Sequence, residues 1–290
     1  MLKKLLKHEF KALGRYFLPM FALIILLTPV FSLLMRFGFR EDALSATSIM
    51  AGFSMGTFVL MLVAMYVAVY IFIILRFYRT TATSEAYLTF TLPASPSQIL
   101  WSKLVVAALY QILTFIIAVA SIFATIFIAG AITPGQFGEF ISQFSSVMSN
   151  YPELADTLQV SLLLFIVAFL IGLLVSTLQF YCSIMLGQLF NSHRVLISIG
   201  MYIGIYVVMQ IVSLIITLPI TLQNMMNTAS ITTTGDSTHI TAIQDEIEFF
   251  HQTVSSMNST ILASCIMSVV FGVVFYVVTV MLMKKKLNVR

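Results

Sequence analysis

Charge is what this chain has least of. Only 9% of its 290 residues are charged and 60% are hydrophobic, where a soluble domain carries about 25% charged residues. Six long stretches (17–35, 50–75, 104–132, 160–189, 195–222 and 261–283) hold no Asp, Glu, Lys or Arg at all. Intramembrane ionisable groups usually mark ion or proton paths, so their absence argues against a proton- or sodium-coupled carrier. Cysteine is nearly absent too. Cys182 and Cys265 both fall inside apolar stretches, where a thiol acts as a small hydrophobe rather than half of a disulfide. No G-x-x-x-x-G-K-[ST] loop occurs, so the chain has no P-loop for ATP, and no H-E-x-x-H occurs for zinc.

What is present is lipid-facing surface. A bilayer core needs about 20 apolar residues per spanning helix, and each stretch reaches or approaches that. Backbone groups in lipid must be bonded within the segment, which selects helices over open sheets. The fold class expected is therefore all-α: a polytopic membrane protein with six transmembrane helices, an amphipathic N-terminal interfacial helix and helical segments on the outer face. No polar linker separates soluble domains, so residues 1–290 read as one transmembrane domain. The basic start lacks a small-residue cleavage site after a short apolar core, and the first span is expected to stay attached.

The few charges are distributed asymmetrically. With the amino terminus placed in the cytoplasm, all of the 15 Lys and Arg except Arg36 and Arg40 lie inside, while all of the 11 acids except Glu9 and Glu85 lie outside. Lys and Arg near span ends set orientation. The expectation is a multi-pass protein of the plasma membrane with both termini cytoplasmic. The basic excess then serves topology and lipid headgroups, not nucleic acid.

Residues 1–15 have helical periodicity. Leu2, Leu5, Leu6, Phe10 and Leu13 share one arc, and Lys4, Lys7, His8, Lys11 and Arg15 the other, the pattern of a helix lying in the interface. Gly14 is expected to loosen a bend into the first span. Glu9 falls on the apolar arc. Either it reaches water at the stripe's edge, or it pairs with Arg76, Arg79 or Arg194 on a neighbouring segment, since a buried carboxylate needs a partner. On the outer side, Phe137, Phe140, Ile141, Phe144, Met148 and Tyr151 suggest a short amphipathic helix ending before Pro152. Residues 223–260 read as a Ser/Thr/Gly-rich loop followed by a helix carrying Ile240, Ile243, Ile247, Phe250, Val254 and Met257.

Several motifs invite a sharper reading. Gly52-Phe53-Ser54-Met55-Gly56 matches G-x-S-x-G, but a hydrolase needs a strand before that motif and a helix after it, and here it opens a span. Two small residues four apart instead favour close helix packing. Gly52 with Gly56, and Gly200 with Gly204, are the packing candidates, within the subunit or between subunits. His239 and His251 lack the spacing of a compact metal motif, so no metal ligand is assigned, and no catalytic residue either. Asn258-Ser259-Thr260 is a glycosylation triplet that hugs a span. The amides within spans, Gln111, Gln179, Gln188 and Gln210, either bond between helices or line a substrate path; Gln111, Gln179 and Gln210 are the path candidates.

The strongest signal is the connection 76–103. Ser95 suits a helix N-cap, Pro96 the first helical position, and Gln98 the reciprocal position of a capping box. The third membrane helix is thus expected to start near Pro96. Before it, residues 84–92 can form a short helix bearing Tyr87, Leu88 and Phe90, ended by Pro93. This is an apolar, aromatic projection poor in Lys and Arg. A patch of that kind marks a protein partner more than a lipid surface.

With this segment the chain resembles the ABC-2 type permeases of bacterial ABC transporters. The resemblance covers the whole length: the basic amphipathic start, six spans, the segment between spans two and three, and an outer helical segment before span six. Its local signature is Glu85-Ala86-Tyr87-Leu88, Thr91-Leu92-Pro93-Ala94-Ser95, Ile99-Leu100 and Ser102-Lys103. Many relatives carry Gly at the position of Ala86. The resemblance implies the membrane-spanning permease subunit of an ABC transporter, expected to be an exporter, and the uncharged spans with their amides, hydroxyls and aromatics suit an amphipathic, peptide or lipid-like substrate. It implies that Glu85, Tyr87, Leu88, Phe90 and Leu92 form the coupling segment that docks a separate P-loop ATPase. It further implies a second permease chain, identical or not, with ATP and Mg bound by the ATPase and no cofactor on this chain. An ATPase-independent carrier or channel is the alternative, and an intramembrane enzyme the alternative of another class.

Overall fold

The computed structural model describes residues 2–38, 46–83, 95–190, 194–232 and 239–288. They form seven helices: α1 (Leu2–Gly38), α2 (Ala46–Ala82), α3 (Pro96–Ala129), α4 (Pro134–Asn150), α5 (Pro152–Gly187), α6 (Arg194–Thr232) and α7 (His239–Asn288). Among the described residues there is no strand. All but α4 are long and apolar enough to cross a bilayer, so the chain is a six-span, all-α polytopic membrane protein. The helices cluster in two compact units, residues 1–143 and 144–290.

In the first unit, α1 packs against both α2 and α3, which touch each other far less. Its buried stripe runs Glu9, Leu13, Phe17, Phe21, Ile24, Thr28, Ser32 and Met35. Steps of three and four keep these on one face of a helix. The stripe's far end meets Phe58 of α2 and Ala129 of α3 through Met35, with Phe31, Met61 and Leu62 packed around them. Polar residues inside the bundle are satisfied locally. Thr28 donates to the Ile24 carbonyl (2.8 Å), and Ser32 to the Thr28 carbonyl (2.6 Å). Ser32 also bonds Thr125 of α3 at 3.1 Å. Pro19 and Pro29 lie within α1, and each removes one helix hydrogen bond.

Two expectations about helix ends are met in detail. Ser95 is extended (φ −67°, ψ 148°) and its hydroxyl accepts from the Gln98 amide, with Pro96 opening α3. The short amphipathic helix expected before Pro152 forms as α4 and ends at Asn150, one residue short of Tyr151. The amphipathic start also forms, but it is not set off from the first span. α1 runs through Gly14 without a break, because that glycine has another use. A Cβ there would stand 2.8 Å from the Tyr110 hydroxyl, so Gly14 admits the ring rather than loosening a bend. The helix expected at the end of 223–260 is likewise continuous with span six as α7, and α6 extends to Thr232 into the expected loop.

In the second unit, α5 is the centre and α7 its main partner. Leu173, Leu178, Tyr181, Cys182 and Met185 of α5 and Phe275, Thr279 and Met283 of α7 are buried. Glycine sets the closest approaches. A Cβ on Gly272 would meet Val175 at 3.0 Å, and one on Gly187 would meet Ser198 of α6 at 2.0 Å, with the Ser198 Cα at 2.8 Å. Phe180 and Tyr202 stack beside that contact, centroids 4.5 Å apart and planes 5° from parallel. Beyond Ser198, α6 keeps no other described residue buried.

Candidate functional site

Four side chains meet where the start of α1, the end of α2 and the start of α3 come together. The Glu9 carboxylate accepts from Lys103 Nζ at 2.6 Å through one oxygen and from Arg76 Nε at 3.1 Å through the other. Lys103 Nζ also donates to Thr80 Oγ1 at 2.8 Å, and the Thr80 hydroxyl in turn lies 2.9 Å from the Arg76 carbonyl. The Lys103 side chain is 4% exposed, Glu9 11% and Arg76 27%. One carboxylate thus faces two cations with little water among them. Charge-assisted bonds of this length are the strong ones, and removing one partner of a buried pair costs about 3–5 kcal/mol because the remaining charge is stranded.

An aromatic layer backs the ions. The Tyr110 hydroxyl donates to the Phe10 carbonyl at 2.9 Å, and the two rings stack at 5.0 Å. Phe17 packs on Tyr110 at 4.6 Å and on Phe72 at 6.0 Å, and Tyr16 stacks on Phe72 at 5.4 Å. The start of α1 is therefore held to α3 and α2 by charge, hydrogen bond and ring contact at once. Glu9 lies eight residues before Phe17, about 12 Å along the helix, so the ions sit beyond the apolar stretch that begins there.

Glu9 falls on the apolar arc of the sequence, and its pairing with Arg76 is among the alternatives that the periodicity leaves open. Lys103 is the partner that sequence reasoning missed. It shares a face of α3 with Ile99, Ala107 and Tyr110, all buried. A lysine in one buried stripe and a glutamate in another are the signal that points to a cross-helix pair.

The remaining candidates are dispersed. Glu85, Tyr87, Leu88, Phe90 and Leu92 lie outside the described residues; the segment's two stems, at Thr83 and Ser95, are within. Gly52, Gly56, Gly200 and Gly204 are exposed, and a Cβ on any of them meets nothing described within 4 Å. Among the described residues no packing uses them. Ser54, at the centre of the G-x-S-x-G match, donates to the Met50 carbonyl at 2.7 Å. Gln111 and Gln179 are buried within their own units, the Gln179 Nε2 with no described hydrogen-bond partner. Gln210 is exposed midway along α6. His251 bonds Thr157 of α5 at 2.9 Å. An apolar groove of about 270 Å³ between α1 and α3 is lined by Ile25, Pro29, Ile117, Ala120, Ala124 and Ile128, together with Thr28 and Ser121. No family model, curated protein or solved structure matches this chain.

Proposed function

We propose that this chain is the membrane-spanning permease subunit of an ATP-driven transporter of the ABC-2 type, exporting an amphipathic, peptide or lipid-like substrate. Its place is the plasma membrane, both termini in the cytoplasm, and it is a transport subunit rather than an enzyme. The motor is a separate P-loop ATPase, which binds ATP and Mg, and a second permease chain completes the transporter.

The observation that carries this reading is the anchoring of the segment between α2 and α3. Arg76 and Thr80 stand within two turns of its first stem at Thr83, Lys103 about two turns beyond its second at Ser95, and Glu9 joins them. A docking surface that must transmit displacement needs rigid supports on both sides, and the capped start of α3 and the ion cluster supply them. Closure of the ATPase would press on Tyr87, Leu88, Phe90 and Leu92, with Glu85 as the polar contact, and α2 and α3 would carry the movement into the membrane. The open faces of Gly52, Gly56, Gly200 and Gly204 suit contact with a second permease chain. Gln210, exposed on α6, is the path candidate that this arrangement favours.

Affinity purification in mild detergent tests the reading. A P-loop ATPase should accompany the chain, and Tyr87→Asp with Leu88→Asp should release it while the permease still inserts. Normal co-purification and ATP-dependent transport by the double variant would overturn the docking role. Transport by the purified chain alone in liposomes would favour a carrier or channel.

A further inference from the structure

The ion cluster does more than fill a buried space, because its members come from three helices and α1 contributes only the carboxylate. Without Glu9, Lys103 and Arg76 would be two cations that have lost the carboxylate they share. Their mutual repulsion would push the ends of α2 and α3 apart, and direct packing between those helices is sparse. With Glu9 in place, one oxygen holds each cation. The bonds are short, directional and screened little by water, so they resist shear in a way that apolar contacts do not. The same stretch of α1 is fixed to α3 by Tyr110, whose hydroxyl reaches the Phe10 carbonyl over Gly14.

We infer that Glu9 is a positioning residue for coupling: it clamps the supports of the α2–α3 segment to α1, so that a push on that segment moves three helices as one body. This rests on the reading of the segment as the ATPase-docking element. It assigns the start of α1 a part in force transmission. A helix merely floating on headgroups would have no such part.

The test uses the complex with its co-purified ATPase. Cys182 and Cys265 are replaced by Ser, and Ile49, exposed at the far end of α2 just outside its apolar stretch, is replaced by Cys as a maleimide probe about 40 Å along the helix from Arg76. Labelling is timed with and without ATP plus vanadate. With Glu9 intact, nucleotide should change the labelling rate. Glu9→Gln keeps the side chain's volume and an acceptor oxygen but not its charge. It should still retain the ATPase and hydrolyse ATP, yet label at one rate in either condition. Lys103→Met should behave in the same way and decides the matter if Glu9→Gln fails to fold; Lys103→Arg should preserve the nucleotide response. A full response in Glu9→Gln or Lys103→Met overturns the clamp and leaves the transporter reading standing. No response even with Glu9 intact overturns that reading, and the clamp with it.

Discussion

The two units solve one problem, holding three apolar helices together, by opposite means. The first closes its bundle with a buried carboxylate, two cations and a hydroxyl at one end and an apolar cluster around Met35, Phe58 and Ala129 at the other. The second has no ion pair among its described residues and draws its helices close by removing side chains, at Gly187 and Gly272. Lipid tails are as apolar as the helices, so packing in a membrane rests on close van der Waals contact and on polar bonds. Glycine contacts are short-ranged and tolerate small sliding. Ion bonds fix register and fail together when one member is lost. The comparison teaches that the first unit is built to hold one geometry, and that the second, with α6 pinned near its start, has fewer constraints on where α6 lies.

Natural probes allow this contrast to be broken one unit at a time. Trp101, the only tryptophan, lies on α3 of the first unit, and both cysteines, Cys182 and Cys265, lie in the second. The largest effect should come from Glu9→Ala, which removes the carboxylate that Lys103 and Arg76 share. A loss of about 3–5 kcal/mol lowers a melting midpoint by on the order of 10 °C for a unit of this size. Trp101 fluorescence should report that fall, while the temperature at which a thiol-reactive dye reaches Cys182 should move less. Equal shifts in both signals would show that the units unfold as one. Gly187→Val should give the converse. Its Cβ would fall 2.8 Å from the Ser198 backbone, and overpacking costs about 1–3 kcal/mol, read first by the thiols. The smallest effect is expected from Gly204→Ala, which meets open space. In the isolated chain it should stay within about 0.5 kcal/mol of the parent. A larger loss confined to the assembled transporter would place that face against a second subunit.

Much of the architecture was legible in the sequence because lipid makes its demand locally. Twenty uncharged residues in a row announce a span whatever surrounds them, and Ser95-Pro96 announces a helix start from bonds formed within one turn. The long-range contacts were harder. Gly52, Gly56, Gly200 and Gly204 carry the spacing of a packing motif, yet among the described glycines those that admit neighbours are Gly14, Gly187 and Gly272. Spacing cannot say which face of a uniformly apolar helix turns inward, since leucine suits lipid and protein alike. Charge is the exception. Glu9 and Lys103 each sit in a stripe where water cannot compensate them, so each reveals its direction. The pair between them is recoverable in principle from two buried stripes that each carry one opposite charge.

The order in which the clamp is assembled follows from its spacing along the chain. Glu9 precedes Arg76 by 67 residues and Lys103 by 94. At about 5–20 residues per second of synthesis, the interval between Glu9 and Lys103 is roughly 5–20 s. Arg76 is translated part-way through it and Lys103 only at its end, so this end of the bundle closes only when the third helix arrives. Biosynthesis thereby makes the newest of the three helices the one that completes the oldest.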